Sequence, residues 1–450
     1  MKTDFLTADA LFETVRDLCA IGARRPATPQ DAQAQNYLLD RFKALGLQNV
    51  RKMPVRFHLW APKERGLTIH LDEGDLHLDG EWLHLSAFTD AKGVHAELVD
   101  VGAGGPTAFT QLDVKDKIVL ADITYATFPY TQLAMLGFFA YDPDNSLANA
   151  SQPATWLANS IEQNIKLAKE NQALGVVLVS PFAMRAFIFD PEGDPMSGSF
   201  GSLPGLVLTR TEGKRLREAI QQRKVRATLL QSGMFREAVT YNIIGELPGK
   251  TDEVILVSSH HDSMWEGATE DAAGCAAVLG LAGYFSQFPS ETRKRTLVFN
   301  LDAAEQIRVL GARAFIEQHR DNLLKRMLVD VHIEHIAWEV YEDENGQIHK
   351  TGQLQARGLF VSDDSRFRSL TKEMVEKHDL RRTVILPTDT PLGVPTDATS
   401  FAEAGYPVIS FISAPIYWNT DADTLDKVPL SELERVTQAF ADLIQGLDQI

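Results

Sequence analysis

The sequence predicts an α/β fold: a mostly parallel central sheet with helices on both faces, interrupted by an inserted β-rich domain. Three observations carry that prediction. Residues 254–257, 296–301 and 327–333 are continuous apolar runs of strand length, the pattern of strands covered on both faces. Helix-like stretches separate such runs, as in successive β-α-β units. Between residues 86 and 235 the texture changes to short strand-like pieces split by Gly, Pro and Asp clusters.

Taken in order, residues 8–46 read as helices, with Leu11, Val15 and Leu18, then Leu38, Leu39, Phe42 and Leu45, at helical spacing and Gly46 as a stop. Residues 51 to about 85 alternate as strands. The insert carries strand-like pieces at 96–101, 117–120, 175–179, 205–208 and 226–230, and one helix-like stretch at 161–174. Residues 123–160, with Pro129, Pro143, Pro153 and several aromatic side chains, read as a long loop or lid. From Tyr241 the alternation returns, with strands at 242–247, 254–257, 297–301, 327–333 and 408–412, and helices near 271–288, 311–318 and 365–378. The expected organisation is a catalytic domain of residues 1–85 and 236–450, with residues 86–235 inserted.

Composition narrows the function classes. The 450 residues are 44% hydrophobic and 23% charged, enough for more than one core in an ordinary globular protein. A net charge of -17, without a basic run, argues against general affinity for nucleic acid or an anionic membrane. Residues 1–10 carry Asp4 and Asp9 and lack the apolar core of a signal peptide, and no stretch of eighteen apolar residues follows, so the expected location is the cytoplasm. With only Cys19 and Cys275, any metal must sit on His, Asp and Glu.

Such residues stand where apolar strands end, the edge at which open α/β sheets bind ligands. His260 and Asp262 follow the 254–257 run; a carboxylate two residues from a histidine can orient its ring so that the other nitrogen faces a metal. Glu270 and Asp271 start a helix after a tight Gly267 loop, and either is equally well read as an N-terminal cap. Glu305, after the 296–301 run, suits a general base acting on water or another helix-start carboxylate. In 332–335, strand alternation puts His332 and Glu334 on one face and His335 on the other, so Glu334 is the expected ligand and the histidines its neighbours unless the strand ends between them.

As a set these spacings, over about residues 10–85 and 236–445, resemble metallopeptidase family twenty-eight. That family includes bacterial zinc aminopeptidases, with glutamate carboxypeptidases, glutaminyl cyclases and the transferrin receptor ectodomain as relatives. The matching places are His260-His261-Asp262, Gly267-Ala268-Thr269-Glu270, Glu305-Gln306 before Leu310-Gly311-Ala312, Glu334, the segment from Phe401 to Pro407, and Asn419 before Ala422-Asp423-Thr424. The insert resembles the protease-associated domain of many members.

The resemblance implies one divalent ion, Zn or Mn, on His260, Glu270 and Glu334, with Asp262 orienting His260 and Glu305 as the catalytic base. Where the family holds a second ion, this chain has Gln306 and Asn419, neutral amides that are poor ligands for a borderline cation. That second site is expected to be lost, leaving Gln306 and Asn419 to hydrogen-bond substrate. Trp418, and Trp265 near the metal loop, are candidate pocket walls or buried structural residues.

The expected function is metal-dependent hydrolysis of a C–N bond, most simply an amide in a small or modified, peptide-like substrate. An ordinary aminopeptidase and a non-catalytic binding protein with a degraded metal centre are the alternatives. Homo-oligomer formation stays open.

Overall fold

A computed structural model describes residues 4–157, 159–221, 223–391 and 393–450. Its spine is one sheet in which two parallel blocks are joined by a long antiparallel ribbon. The ribbon pairs Gln48–Leu71 with Val225–Leu247, from Gln48 opposite Glu246 to His70 opposite Arg226. The sequence reading splits the second of these into 226–230 and 242–247. The intervening residues pair with 51–65 throughout, so the strand does not break.

On one side of the ribbon, Thr296–Asp302 lies antiparallel to it, followed by Val254–His260, Met327–Ile333 and Val408–Ser413. Those four strands run parallel and their carboxyl ends open on one edge. Arg357–Val361 and Thr383–Pro387, unread in the sequence, extend the sheet beyond Val408–Ser413. Side chains alternate between two cores: Ile255 and Val257 join one, Val254 and Leu256 the other. Helices Ala8–Ile21, Pro29–Ala44, Ala273–Ser286, Ser365–Lys377 and Leu430–Gln449 contribute to the first core, while Leu310–His319 and Thr399–Glu403 contribute to the second. The sequence reading omits Leu430–Gln449, which buries Leu433, Val436, Phe440, Leu443, Ile444 and Leu447 on one face. Each such side chain stabilises the fold by roughly 1.5–3 kcal/mol relative to exposure.

On the other side of the ribbon, Val94–Asp100, Ile118–Asp122, Gly175–Val179 and Gly205–Leu208 form a second parallel block with helices Gly105–Gln111, Asn159–Glu170 and Arg210–Ile220. Leu67, Ile69 and Leu78 pack with this block, as do Ala227 and Leu229. Its core therefore reaches into the ribbon, past a boundary drawn at residue 85. Much of the 123–160 segment, expected as a loop or lid, has defined structure. Thr127–Pro129 pairs with Ser151–Pro153, Tyr130–Leu136 is helical, and Phe139–Tyr141 joins the main sheet against Thr383–Ile385. A segment of residues 86–235 is thereby joined to the edge of the first parallel block. Among the described residues no helix is long and apolar enough to cross a membrane.

The last helix is tied to the sheet by a buried ion pair between Arg357 and Glu432, 2% and 5% exposed. Arg357→Met leaves that carboxylate with Arg435 at 3.6 Å as its remaining ion-pair partner, and is expected to cost about 3 kcal/mol in urea unfolding, most of it regained in Arg357→Met/Glu432→Leu. Equal stability of the single variant and the unsubstituted protein contradicts this role.

Candidate metal centre

The strand Val254–His260 ends by delivering His260 into an enclosed space at the sheet edge, with its side chain 0% exposed. Asp262 accepts the backbone N–H of Glu305 at 3.0 Å and of Gln306 at 3.2 Å, which draws the turn after Thr296–Asp302 over the same space. Its carboxylate also lies 3.6 Å from His260 Nδ1. His261 points the other way, its Nε2 bonding Tyr241 O at 3.1 Å.

The loop carrying Glu270 is fixed from both sides. Asp423 accepts the N–H groups of Thr269 and Glu270, each at 2.9 Å. Arg24, fully buried, donates to the carbonyls of His261, Glu266 and Gly267, and also to Leu18 in the first long helix. Glu270 is thereby held between two imidazoles, Oε1 3.4 Å from His260 Nε2 and Oε2 2.5 Å from His335 Nε2. Asp271 turns away, binding Ser259 Oγ and the N–H groups of Gly274 and His335. A side chain at 274 has no room there: its Cβ would lie 2.1 Å from Asp271 Oδ2 and 2.5 Å from Ile333 O.

His335 was expected as a neighbour, but it enters the centre. The strand stops at Ile333 and His335 adopts a left-handed backbone, φ 50°, which cancels the alternation that would send its ring to the opposite face. Its Nδ1–H donates to Ser413 O at 2.7 Å, leaving Nε2 toward Glu270. Burial opposes a charged imidazole here, yet the Glu270 carboxylate outweighs it and lifts His335 to about 10. Burial would likewise raise Glu270, but His335 and His260 hold it well below the usual carboxylate range.

Glu334, expected beside His260 and Glu270, is gathered instead with His332 and Asp397. Its Oε1 lies 2.5 Å from His332 Nε2 and accepts the N–H of Asp397 at 3.1 Å. Neither carboxylate oxygen of Asp397 has a hydrogen-bond partner, and burial, with Glu305 and Glu334 nearby, pushes that carboxyl strongly up. Burial also raises Glu305 to about 8, with Glu270, Asp262 and Glu334 adding to it and His260 opposing. Asp397 was not singled out in the sequence; the signal available is a Thr-Asp step four residues before Phe401.

The donor atoms of His260, Glu270 and His335 lie within 4.8 Å of one another, all buried. Both imidazole Nε2 atoms face the Glu270 carboxylate. Two imidazoles and one carboxylate make the donor set that suits a divalent ion with an open position. Gln306 adjoins it: its Nε2 donates both to Glu270 and, at 2.9 Å, to Glu305 Oε2, so one amide bridges the two carboxylates. Gln306 Oε1 and Asn419 Oδ1 are buried acceptors without partners. Asn419 is placed by the insert, since its carbonyl accepts the Phe187 N–H at 2.8 Å, while Arg185 and Asp421 exchange bonds beside it. Trp418 stands 6.1 Å from the His335 ring, its Nε1 donating to Thr155 Oγ1 at 3.0 Å. Trp265 instead lies between Arg25 and Arg185, 5.7 and 5.0 Å from its ring.

Residues 242–444 match the model of Peptidase family M28. The fold resembles a zinc aminopeptidase from Bacillus subtilis, with a TM-score of 0.71 and 19% identity over 98% of this chain and 94% of that one. It also resembles a peptidase M28 precursor from Shewanella amazonensis, with a TM-score of 0.69 and 21% identity over 96% and 91%. At those identities the likeness concerns the fold. Among curated proteins, a vacuolar membrane protease of Lodderomyces elongisporus is 37% identical over 91 residues, 19% of this chain. Leucine aminopeptidase 2 of Arthroderma otae is 22% identical over 183 residues, 38% of this chain. The matches span 9% and 36% of those relatives' lengths.

Arg24 is the joint between the amino-terminal helices and the metal-centre loop. Arg24→Met leaves four carbonyls, three of them buried, without that donor, and a loss of about 3 kcal/mol is expected in denaturant unfolding. A midpoint unchanged from that of the unsubstituted protein excludes this bracing role.

Proposed function

We propose that this chain, whose residues 242–444 match the model of Peptidase family M28, hydrolyses the C–N bond of an amide with one divalent ion, zinc or manganese, held by His260, Glu270 and His335. The supporting observation is the buried meeting of two imidazole Nε2 atoms on one carboxylate, with Glu305 reached from that carboxylate through a single amide group. His335 takes the position assigned from sequence to Glu334, which stays in the surrounding acidic group with His332 and Asp397.

His260, Glu270 and His335 would hold the ion, which would supply Lewis acidity toward a carbonyl oxygen and a water molecule. Burial favours the protonated form of Glu305, and a cation bound beside it would offset that and leave the carboxylate free to take a proton from the water and return it to the departing nitrogen. The carbonyl carbon gains hydroxyl, the C–N bond breaks, and the nitrogen leaves as an amine. Asp262 fixes the Glu305 and Gln306 backbone, so it positions the base rather than touching substrate. The unpartnered acceptors Gln306 Oε1 and Asn419 Oδ1 suit N–H donors of the substrate.

Where a co-catalytic second ion would sit, Gln306 and Asn419 offer amides, which favours amides of small or modified substrates over ordinary exopeptidase substrates. An aminopeptidase is the second reading, favoured by the same two acceptors, which also suit a free ammonium group, and by an apolar pocket of about 80 Å³ beside His335 and Trp418.

Aminoacyl and N-acyl anilides separate these readings. Hydrolysis of the N-acyl series is expected, with Glu305→Gln lowering kcat by roughly 10²–10⁴-fold while metal content stays the same. Turnover confined to free aminoacyl compounds favours the aminopeptidase. No turnover of either series by metal-loaded protein, or full activity in Glu305→Gln, overturns the catalytic reading.

A further inference from the structure

Two cavities meet at a wall formed by Trp156 and Trp418, which line both. The first, about 80 Å³, contains His335 and is otherwise bounded mainly by apolar side chains such as Phe128, Phe360 and Ile412. The second, about 210 Å³, lies between the insert and the 416–420 loop and contains Asn419. Its aromatic lining comes from Tyr125, Phe182, Phe187 and Phe189 of the insert together with the two tryptophans. Tyr125 and Phe182 are stacked, with ring centroids 6.1 Å apart. Among the described residues Glu162 is the one charged side chain in that lining.

We infer that this interdomain cleft is the subsite for the amine-side arm of the substrate, and that the arm is an aromatic ring that is neutral or cationic. The inference rests on the amide-hydrolase reading and extends it to substrate class. His335 lies in the first cavity, so the arm attached to the scissile carbonyl carbon belongs there. Asn419 Oδ1, a buried acceptor without a partner, suits the amide N–H, and the chain continuing from that nitrogen enters the cleft that Asn419 lines. A ring there meets aromatic faces on several sides, an arrangement that favours stacked or edge-on rings over aliphatic chains of similar size. The Glu162 carboxylate repels an anionic substituent. Because Tyr125, Phe182 and Phe189 belong to the insert, the insert carries leaving-group specificity as well as holding the Asn419 loop.

Calorimetric titration with phenethylamine, the product that such an arm releases, tests the subsite without requiring turnover. Measurable binding is expected, weakened about tenfold in Phe182→Ala and in Tyr125→Ala, which corresponds to the loss of one aromatic contact. 4-(2-Aminoethyl)benzoate is expected to bind more weakly than phenethylamine, by a margin that narrows in Glu162→Gln. In turnover, Phe182→Ala is expected to lower kcat/KM for an N-phenethylamide about tenfold, and by more than it lowers kcat/KM for the N-ethylamide of the same acid. Binding unaffected by both aromatic variants, or no binding, overturns the subsite even if amides are hydrolysed. Ring-dependent binding without hydrolysis of any amide keeps the subsite and rejects the hydrolase reading on which its role was built.

Discussion

Charge buried without water has to be balanced, and at this sheet edge carboxylates crowd into a space served by few cations. Asp262, Glu270, Asp271, Glu334 and Asp397 are all nearly inaccessible, and Glu305 adjoins them. An ionised carboxylate in such surroundings is costly unless it is paired or hydrogen-bonded. Each is settled differently. Asp262 and Asp271 take backbone N–H groups, Glu334 pairs with His332, and Glu270 lies between His260 and His335. Asp397 and Glu305 are pushed toward their protonated forms. A divalent cation on the proposed His260, Glu270 and His335 donors would relieve the same excess of negative charge, which would join the electrostatics of the fold to its chemistry.

The rest of the molecule serves that centre. Arg24 braces the Glu270 loop from the amino-terminal helices and Asp423 braces it from the carboxyl-terminal side, so distant parts of the sequence fix one carboxylate. The insert contributes more than bulk. Gln152 donates to Ala414 O, Thr155 accepts from Trp418, Phe187 holds Asn419, and Phe139–Tyr141 completes the edge of the main sheet. Removing the insert would therefore take away the Thr155, Arg185 and Phe187 supports of the 418–421 loop along with one wall of the cleft.

The strands bearing His260, Glu305 and Glu334 were legible because unbroken apolar runs followed by ionisable residues have few other uses in an α/β protein. Local pattern left Glu270 and Asp271 as alternatives, and the family resemblance singled out Glu270. Which of them faces the centre depends on Ser259 and Gly274, contacts that local pattern does not encode. His335 was misjudged because alternation assumes the strand continues, whereas it ends at Ile333 and a left-handed residue follows. The ribbon was cut in two because polar residues near 231–240 resemble a turn when their partners at 51–65 are unseen. Proline and aromatic clusters in 123–160 read as loop, yet cross-domain pairing gives that segment strands and a helix. Long-range pairing is the common cause of these misses, since it decides structure where local preference is weak.

Metal content after exhaustive dialysis, measured by elemental analysis on the full chain and on His335→Ala and Gln306→Ala, bears most directly on a single ion at His260, Glu270 and His335. About one equivalent per chain is expected, retained in Gln306→Ala and lost in His335→Ala. Two tightly held equivalents, or one that survives His335→Ala, contradicts that assignment.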